Sequence, residues 1–310
     1  MFSRVQKWPL RFLVVLLAFN LTIHAAEKTV KLLCIGNSFS NNATTFLPDI
    51  VKAAGNTLVL RSAVIGGGSM QQHWERVEHA EKGAPEEKEL YNGKTLKQLL
   101  ESDTFDFVTI QQYSMISHDV NTYRPYAKNL YDFVKKLQPK AEVVIHQTWP
   151  YRVDDPRFTK KPAKAGEPES QQAMYDGLTK AYETIAGELG VRIIPTGDAF
   201  EMANTDPEWG FKPDPNFDPK KLQHPDPIVE RHSLNMGHTW SKSKDGKFTL
   251  GYDGHHASIA GEYLGACAFY ETLYGESVVG NTFAPKGISP EDAKYLQETA
   301  HKAVEKRKAK

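Results

Sequence analysis

Five short apolar runs, each set off from the next by a longer segment with helical periodicity, leave this chain few ways to fold. The runs are Lys31–Ile35, Thr57–Ile65, Phe105–Ile110, Glu142–Ile145 and Val191–Ile194. Each is too short for a stable helix, and most end in glycine or amide residues, as buried strands do. Between them, Phe46, Leu47, Ile50, Val51 and Ala54 form one helical stripe, stopped by Gly55-Asn56. Leu96, Leu99 and Leu100 mark a short helix. A third stripe runs from Tyr123 through Leu130 and Val134 to Leu137, ended by Pro139. A fourth runs from Met174 to Leu189 and is closed by Gly190. Strands joined through helices form right-handed crossovers and a parallel sheet covered on both faces. The expected fold is therefore α/β: a three-layer α/β/α sandwich with a flavodoxin-like five-stranded parallel sheet. In such folds the ligand lies beyond the carboxyl ends of the strands, which is where functional residues are sought.

The flanking segments divide the chain further. The first 26 residues hold Arg4, Lys7 and Arg11, then an apolar run from Phe12 to Ile23, then Ala25-Ala26. That run is too short to span a bilayer comfortably and reads as an export signal peptide. A single large domain is expected over 27–285. Within it, 204–250 is rich in Pro, Asp, Lys and Gly without a periodic pattern, and is expected to be a lid-like insertion. A helix is expected over Ser258–Tyr274. Residues 286–310 read as a C-terminal helix started by Ser289-Pro290-Glu291-Asp292, with a basic tail.

Charge excludes several classes of function. Basic and acidic residues both number 38 in the 310-residue chain, and removing 1–26 takes away three basic residues only, leaving a net charge of −3. A strongly basic nucleic-acid binder and an acidic disordered protein are both disfavoured, so no nucleic-acid partner is expected. No integral-membrane partner is expected either, since no other stretch approaches transmembrane length. Cys34 and Cys267 are too few for a disulfide scaffold and read as two buried thiols, although an exported protein permits a bond between them.

The residues after the strands are the chemically interesting ones. Gly36-Asn37-Ser38-Phe39-Ser40 follows the first strand, where a tight turn can present the Ser38 hydroxyl. Gly66-Gly67-Gly68 follows the second and lets backbone amides approach a ligand. Gln111 and Gln112 follow the third. Asp253-Gly254-His255-His256 precedes the penultimate helix. An Asp three residues before His256, in a loop, can orient that imidazole and leave its other nitrogen free to take a proton.

Taken in order, these blocks resemble the SGNH (GDSL-like) hydrolases, over roughly Lys31 to Gly280. The resemblance is to a bacterial exported branch reading Gly-Asn-Ser-Phe-Ser, Ile-Gly-Gly, Gln-Gln-x-Ser and Asp-Gly-x-His-x-Ser. These blocks are Gly36–Ser40, Ile65–Gly67, Gln111–Ser114 and Asp253–Ser258 in this chain. Asn37 stands where the wider family has Asp, and the third block lacks the Gly-x-Asn-Asp that supplies an oxyanion donor. The resemblance implies a serine esterase with Ser38 as nucleophile, His256 as base and Asp253 as its partner. It implies an oxyanion hole from the amides of Ser38 and Gly67. Gln112 carries the same amide as the missing Asn on a longer arm, so it is the expected third donor, with Gln111 on the opposite face of the strand. No cofactor and no metal are implied. The implied substrate is a small acyl ester or an acylated polysaccharide. A lipase or thioesterase on the same fold, or a non-catalytic carbohydrate-binding protein, would carry the same blocks.

His73, Trp149 and Tyr151 fall on the same edge and are candidate substrate contacts, with packing as the alternative for each. His224, His232, His238 and His255 lack zinc-ligand spacing, and 213–218 lacks the spacing of a calcium loop.

Overall fold

The computed structural model describes residues 27–83, 86–159 and 167–309, so the expected signal segment lies outside the described residues. Its centre is a five-stranded parallel sheet of β1 (Thr29–Gly36), β2 (Thr57–Val64), β3 (Phe107–Ile110), β4 (Glu142–His146) and β5 (Ile193–Ile194), in the order β2-β1-β3-β4-β5. This is the flavodoxin-like sheet expected from the alternation. β1 lies in the middle and is buried on both faces, which is why its sequence is continuously apolar rather than alternating.

One layer of helices comprises α1 (Ser38–Thr44), α2 (Leu47–Ala53), α8 (Thr196–Asn204), α9 (Ile259–Tyr274) and α10 (Pro290–Lys308). The other comprises α3 (Met70–Glu81), α4 (Leu96–Leu100), α5 (Tyr126–Leu137) and α7 (Gln171–Leu189). A short α6 (Pro156–Thr159) lies in the loop after β4. α5 buries Ala127, Leu130, Phe133 and Val134, one face of an amphipathic helix. α9 is apolar all round because α1, α2, α8 and α10 enclose it. Gly265 permits the close approach of α9 to α1, since a Cβ there would sit 3.0 Å from the Ala43 Cα.

β5 is shorter than expected because Gly190 and Val191 finish α7. Gly190 takes a left-handed φ of 63° and bonds to Gly187, while the Val191 N–H reaches back to the Ala186 carbonyl.

The larger departure is in 204–250. Its first part is irregular, but its second part forms β6 (Asn235–Lys242), which pairs antiparallel with β7 (Phe248–Ala257). This hairpin forms a separate two-stranded sheet. A bulge shifts its register between Asn235 and Gly237. The expected lid-like stretch is thus partly a hairpin. Most of its strand residues are exposed or half-buried, so no apolar alternation was needed to hold it. The last residues of β7 lead directly into α9, whose N-cap Ser258 accepts from Gly261 N.

Candidate active site

The turn from β1 into α1 is fixed from several directions. Gly36 has no room for a side chain, because a Cβ would fall 2.5 Å from Gln111 Oε1. The Gln111 Oε1 atom accepts from Asn37 N at 3.1 Å and from Ser40 Oγ at 3.0 Å. Asn37 caps α1 by accepting from Phe39 N at 2.9 Å, and donates its side-chain amide to the Gly68 carbonyl at 2.9 Å. The glycine turn after β2 is therefore bolted to the serine turn after β1. Ser38 is left as the first residue of the helix.

Asp253, His255 and His256 lie on β7 rather than in the expected loop. Ser38 Oγ is 2.9 Å from His256 Nε2, and His256 Nδ1 is 2.7 Å from Asp253 Oδ2. A carboxylate only accepts, so Nδ1 carries the proton and Nε2 presents its lone pair to the Ser38 hydroxyl. Asp253 Oδ1 accepts from the backbone N–H groups of His255 and His256, both at 3.0 Å, and lies 2.7 Å from His255 Nδ1. Partial burial alone would push the Asp253 carboxyl up. The hydrogen bonds from the His255 and His256 side chains and from their backbone amides outweigh it and hold it well below the usual carboxylate range.

Polar contacts hold the hairpin against the sheet edge and close its own base. Arg152 N donates to the Gly254 carbonyl at 2.7 Å, and Trp149 Nε1 to the His255 carbonyl at 3.0 Å. Ala257 N donates to Asn42 Oδ1 at 3.3 Å, and Ser258 Oγ to the Ser233 carbonyl at 2.6 Å. Beside them the buried Arg152 guanidinium meets Asp154 at 2.7 Å and Glu230 at 2.7 Å. Glu230 belongs to the 204–250 stretch, so that stretch braces the loop after β4. None of its residues lines the site cavity.

A cavity of about 120 Å³ opens at Ser38 and His256, walled by Gly67, Tyr113, Tyr151, Arg157 and His255 among others. Ser38 and Gly67 both line it, and neither backbone amide is bonded to another backbone group of the described residues. Tyr151 reaches it with its ring and ties its hydroxyl to Ser114 Oγ at 2.9 Å.

Three expected contacts lie elsewhere. Gln112 does not present its amide to the cavity: its Nε2 donates to the Thr122 carbonyl at 2.9 Å, and its Oε1 accepts from Met70 N and Tyr113 N. Gln111 is likewise committed, donating to the Gln112 carbonyl. Both glutamines follow the end of β3 at Ile110, so strand alternation does not govern where they point. His73 is buried and pinned between the Tyr91 hydroxyl at 2.7 Å and the Gly36 carbonyl at 2.9 Å. Its Nε2–H donates to the carbonyl, so Nδ1 accepts from Tyr91. It supports the nucleophile turn from below. Trp149 is buried in a stack, 4.3 Å from the Phe39 ring and 4.7 Å from the Phe200 ring. It braces Phe39, the neighbour of Ser38, and leaves no face for a ligand.

The four histidines weighed as metal ligands are scattered. His224 stacks on Phe248, His232 on Trp209, His238 pairs with Glu230 and His255 with Asp253. Asp253, His255 and His256 offer ligand atoms within 4.8 Å of one another, but the Nδ1 atoms of both histidines already face the Asp253 carboxylate. Cys34 and Cys267 are free and buried, and burial pushes the Cys34 thiol up to about 12.

Arg157 and Tyr113 are cavity residues that the sequence did not single out, and His255 was weighed there only as a metal ligand. Tyr113 sits inside the Gln-Gln-x-Ser block, and His255 inside the Asp-Gly-x-His block, where each occupied an unassigned position. Arg157 belongs to no block.

A family model described as a domain of unknown function, DUF4886, matches residues 31–222. Among solved structures, a DUF4886 family protein from Bacteroides uniformis is similar at 23% identity, with 89% of this chain and 95% of that chain covered and a TM-score of 0.67. A protein from Slackia heliotrinireducens, proposed to be an SGNH hydrolase, is similar at 20% identity, with 79% and 99% covered and a TM-score of 0.49. A GDSL-like lipase from Bacteroides thetaiotaomicron is similar at 11% identity, with 80% and 87% covered and a TM-score of 0.39. None of the curated proteins matches the chain in sequence.

Proposed function

The chain belongs to the DUF4886 family, and we propose that it is a serine esterase of the SGNH (GDSL-like) kind, whose sequence blocks it carries, acting through an acyl-enzyme. The observation that carries this reading is the unbroken chain Ser38 Oγ–His256 Nε2 at 2.9 Å and His256 Nδ1–Asp253 at 2.7 Å. Ser38 Oγ attacks the ester carbonyl as its proton passes to His256 Nε2. Asp253 holds the Nδ1–H tautomer and stabilises the imidazolium that forms. The amides of Ser38 and Gly67 donate to the oxyanion. As the tetrahedral adduct collapses, the carbon–oxygen bond to the alcohol breaks, and the alkoxide takes the proton from His256. Water then repeats the attack on the acyl-Ser38 ester and releases the acid.

The size and lining of the cavity support a short acyl group. About 120 Å³ matches an acetyl-sized fragment. An O-acetyl group on an exported carbohydrate is the substrate we favour. The Arg4–Ala26 segment supports export to the periplasm or beyond, and no described helix is long and apolar enough to cross a membrane.

Two measurements test this reading. A serine-directed phosphonate should add covalently to the peptide containing Ser38, and 4-nitrophenyl acetate should be turned over far faster than the dodecanoate. An unlabelled Ser38 in folded protein would sink the nucleophile assignment. Equal rates on both esters would sink the short-acyl assignment.

A further inference from the structure

Resting on the esterase reading, we propose that Arg157 is the residue that selects the alcohol half of the substrate, as a fixed donor to a neutral sugar oxygen beside the scissile ester. Its guanidinium is locked on two sides. Nε and Nη2 meet the two carboxylate oxygens of Asp155 at 2.8 and 2.9 Å, and the group lies over the Tyr151 ring at 4.0 Å. Asp155 is 1% exposed, so the pair is anchored in the protein and not in solvent. Nη2 also lies 3.3 Å from His255 Nδ1, next to the triad. Nη1 is left over. Its partner among the described residues is the Met115 thioether at 3.4 Å, a weak acceptor. Arg157 thus lines the Ser38 cavity, 37% exposed, with its guanidinium held in place and one nitrogen not engaged by a carboxylate. Such a donor is preorganised, and a ligand oxygen gains its hydrogen bond without ordering the side chain first.

Charge decides the class of acceptor. Asp155 already balances Arg157, and Asp253 adds a negative charge at the same His255 nitrogen that Arg157 approaches. A carboxylate or phosphate would enter a neighbourhood with one excess negative charge. A hydroxyl or ring oxygen of a neutral sugar meets the same donor without that repulsion.

The test is a ratio. For acetylated neutral xylo-oligosaccharide and for 4-nitrophenyl acetate, kcat/KM is measured in the wild type, Arg157→Gln and Arg157→Lys. The lysine variant keeps a cation against the buried Asp155, but its single nitrogen, drawn to that carboxylate, does not occupy the position of Nη1. It guards against a glutamine variant that fails to fold with Asp155 unpaired. In both variants the sugar-to-aryl ratio should fall about 10- to 100-fold, the value of one charged hydrogen bond, and the loss should lie mainly in KM. An unchanged ratio in the lysine variant overturns the proposal. So does a wild-type preference for acetylated uronic-acid oligosaccharide that disappears in the variants, since the selected group would then be anionic. Binding provides an arm independent of turnover. In a Ser38→Ala background, Arg157→Lys should weaken binding of the acetylated neutral oligosaccharide, read by calorimetry, by about tenfold or more. Equal Kd values overturn the proposal even if no ester is hydrolysed, whereas failure of hydrolysis alone with the Kd difference intact overturns only the esterase reading.

Discussion

Mild acid should destabilise this fold through His73. The imidazole is fully buried, and desolvation holds its pKa down at about 4 against an ordinary 6.5, although the bond to the Gly36 carbonyl pulls the other way. The unfolded chain takes up this proton near pH 6.5, and the native ring resists it until about pH 4. Stability from this group is therefore intact above pH 6.5 and is lost as the pH falls through that window. At 1.36 kcal/mol for each pKa unit, the loss is about 2 kcal/mol at pH 5 and about 3 kcal/mol at pH 4. The His146 ring, buried and held at about 3, adds a loss of the same sign. The two contributions separate in a variant. His73→Gln removes one titrating group and leaves the other. Urea unfolding at pH 7, 6 and 5 should show the wild type losing about 2 kcal/mol more than His73→Gln between pH 7 and 5. Identical pH slopes in the two proteins would refute the reasoning.

Other substitutions separate chemistry from scaffold. Ser38→Ala should lower kcat by about 10⁶-fold with the thermal midpoint unchanged, checked by ester assay and calorimetry. Gln112→Ala should act on stability rather than on the transition state. It leaves the buried Met70 N–H without its acceptor, at a cost of about 1–3 kcal/mol in unfolding free energy, and a kcat loss of 10²-fold with stability intact would restore it as an oxyanion donor. Arg152→Met strands Glu230 and Asp154 without their cation and should cost about 3–5 kcal/mol, with unchanged urea unfolding as the contrary result.

The parallel sheet and the position of Ser38 were legible because both depend on order along the chain, whereas Asp253 and His256 were legible from the block they form and not from their place on β7. An apolar run buried on both faces has a sequence that shows it, and the residues after parallel strands must gather at one edge. The hairpin β6–β7 was not legible. Residues such as Thr239, Trp240 and Ser241 stand half-buried or exposed, and their strand state is set by pairing with 249–251, not by an apolar face. Trp149 and His73 sit at the functional edge by sequence, but the loop after β4 and the start of α3 fold inward there. Position beyond a strand places a residue near the site without saying which way its side chain turns. Arg157 lay beyond reach for the converse reason. Its place on the cavity wall follows from a bidentate contact with Asp155, two residues earlier, and an Asp-Pro-Arg triplet in a loop has no pattern that announces it.

Ser38 opens the helix that follows the central strand of the parallel sheet, and its proton acceptor stands on a second sheet that shares no ladder with the first among the described residues. The two are brought into register only by side chains and a few loop amides. A chain in which the parallel sheet has formed but the hairpin has not docked would carry a serine with ordinary alcohol reactivity. The competent nucleophile exists only once the hairpin has docked, so catalytic activity reports that docking, and damage at a remote brace such as Arg152 would register as a silent serine as well as a less stable fold.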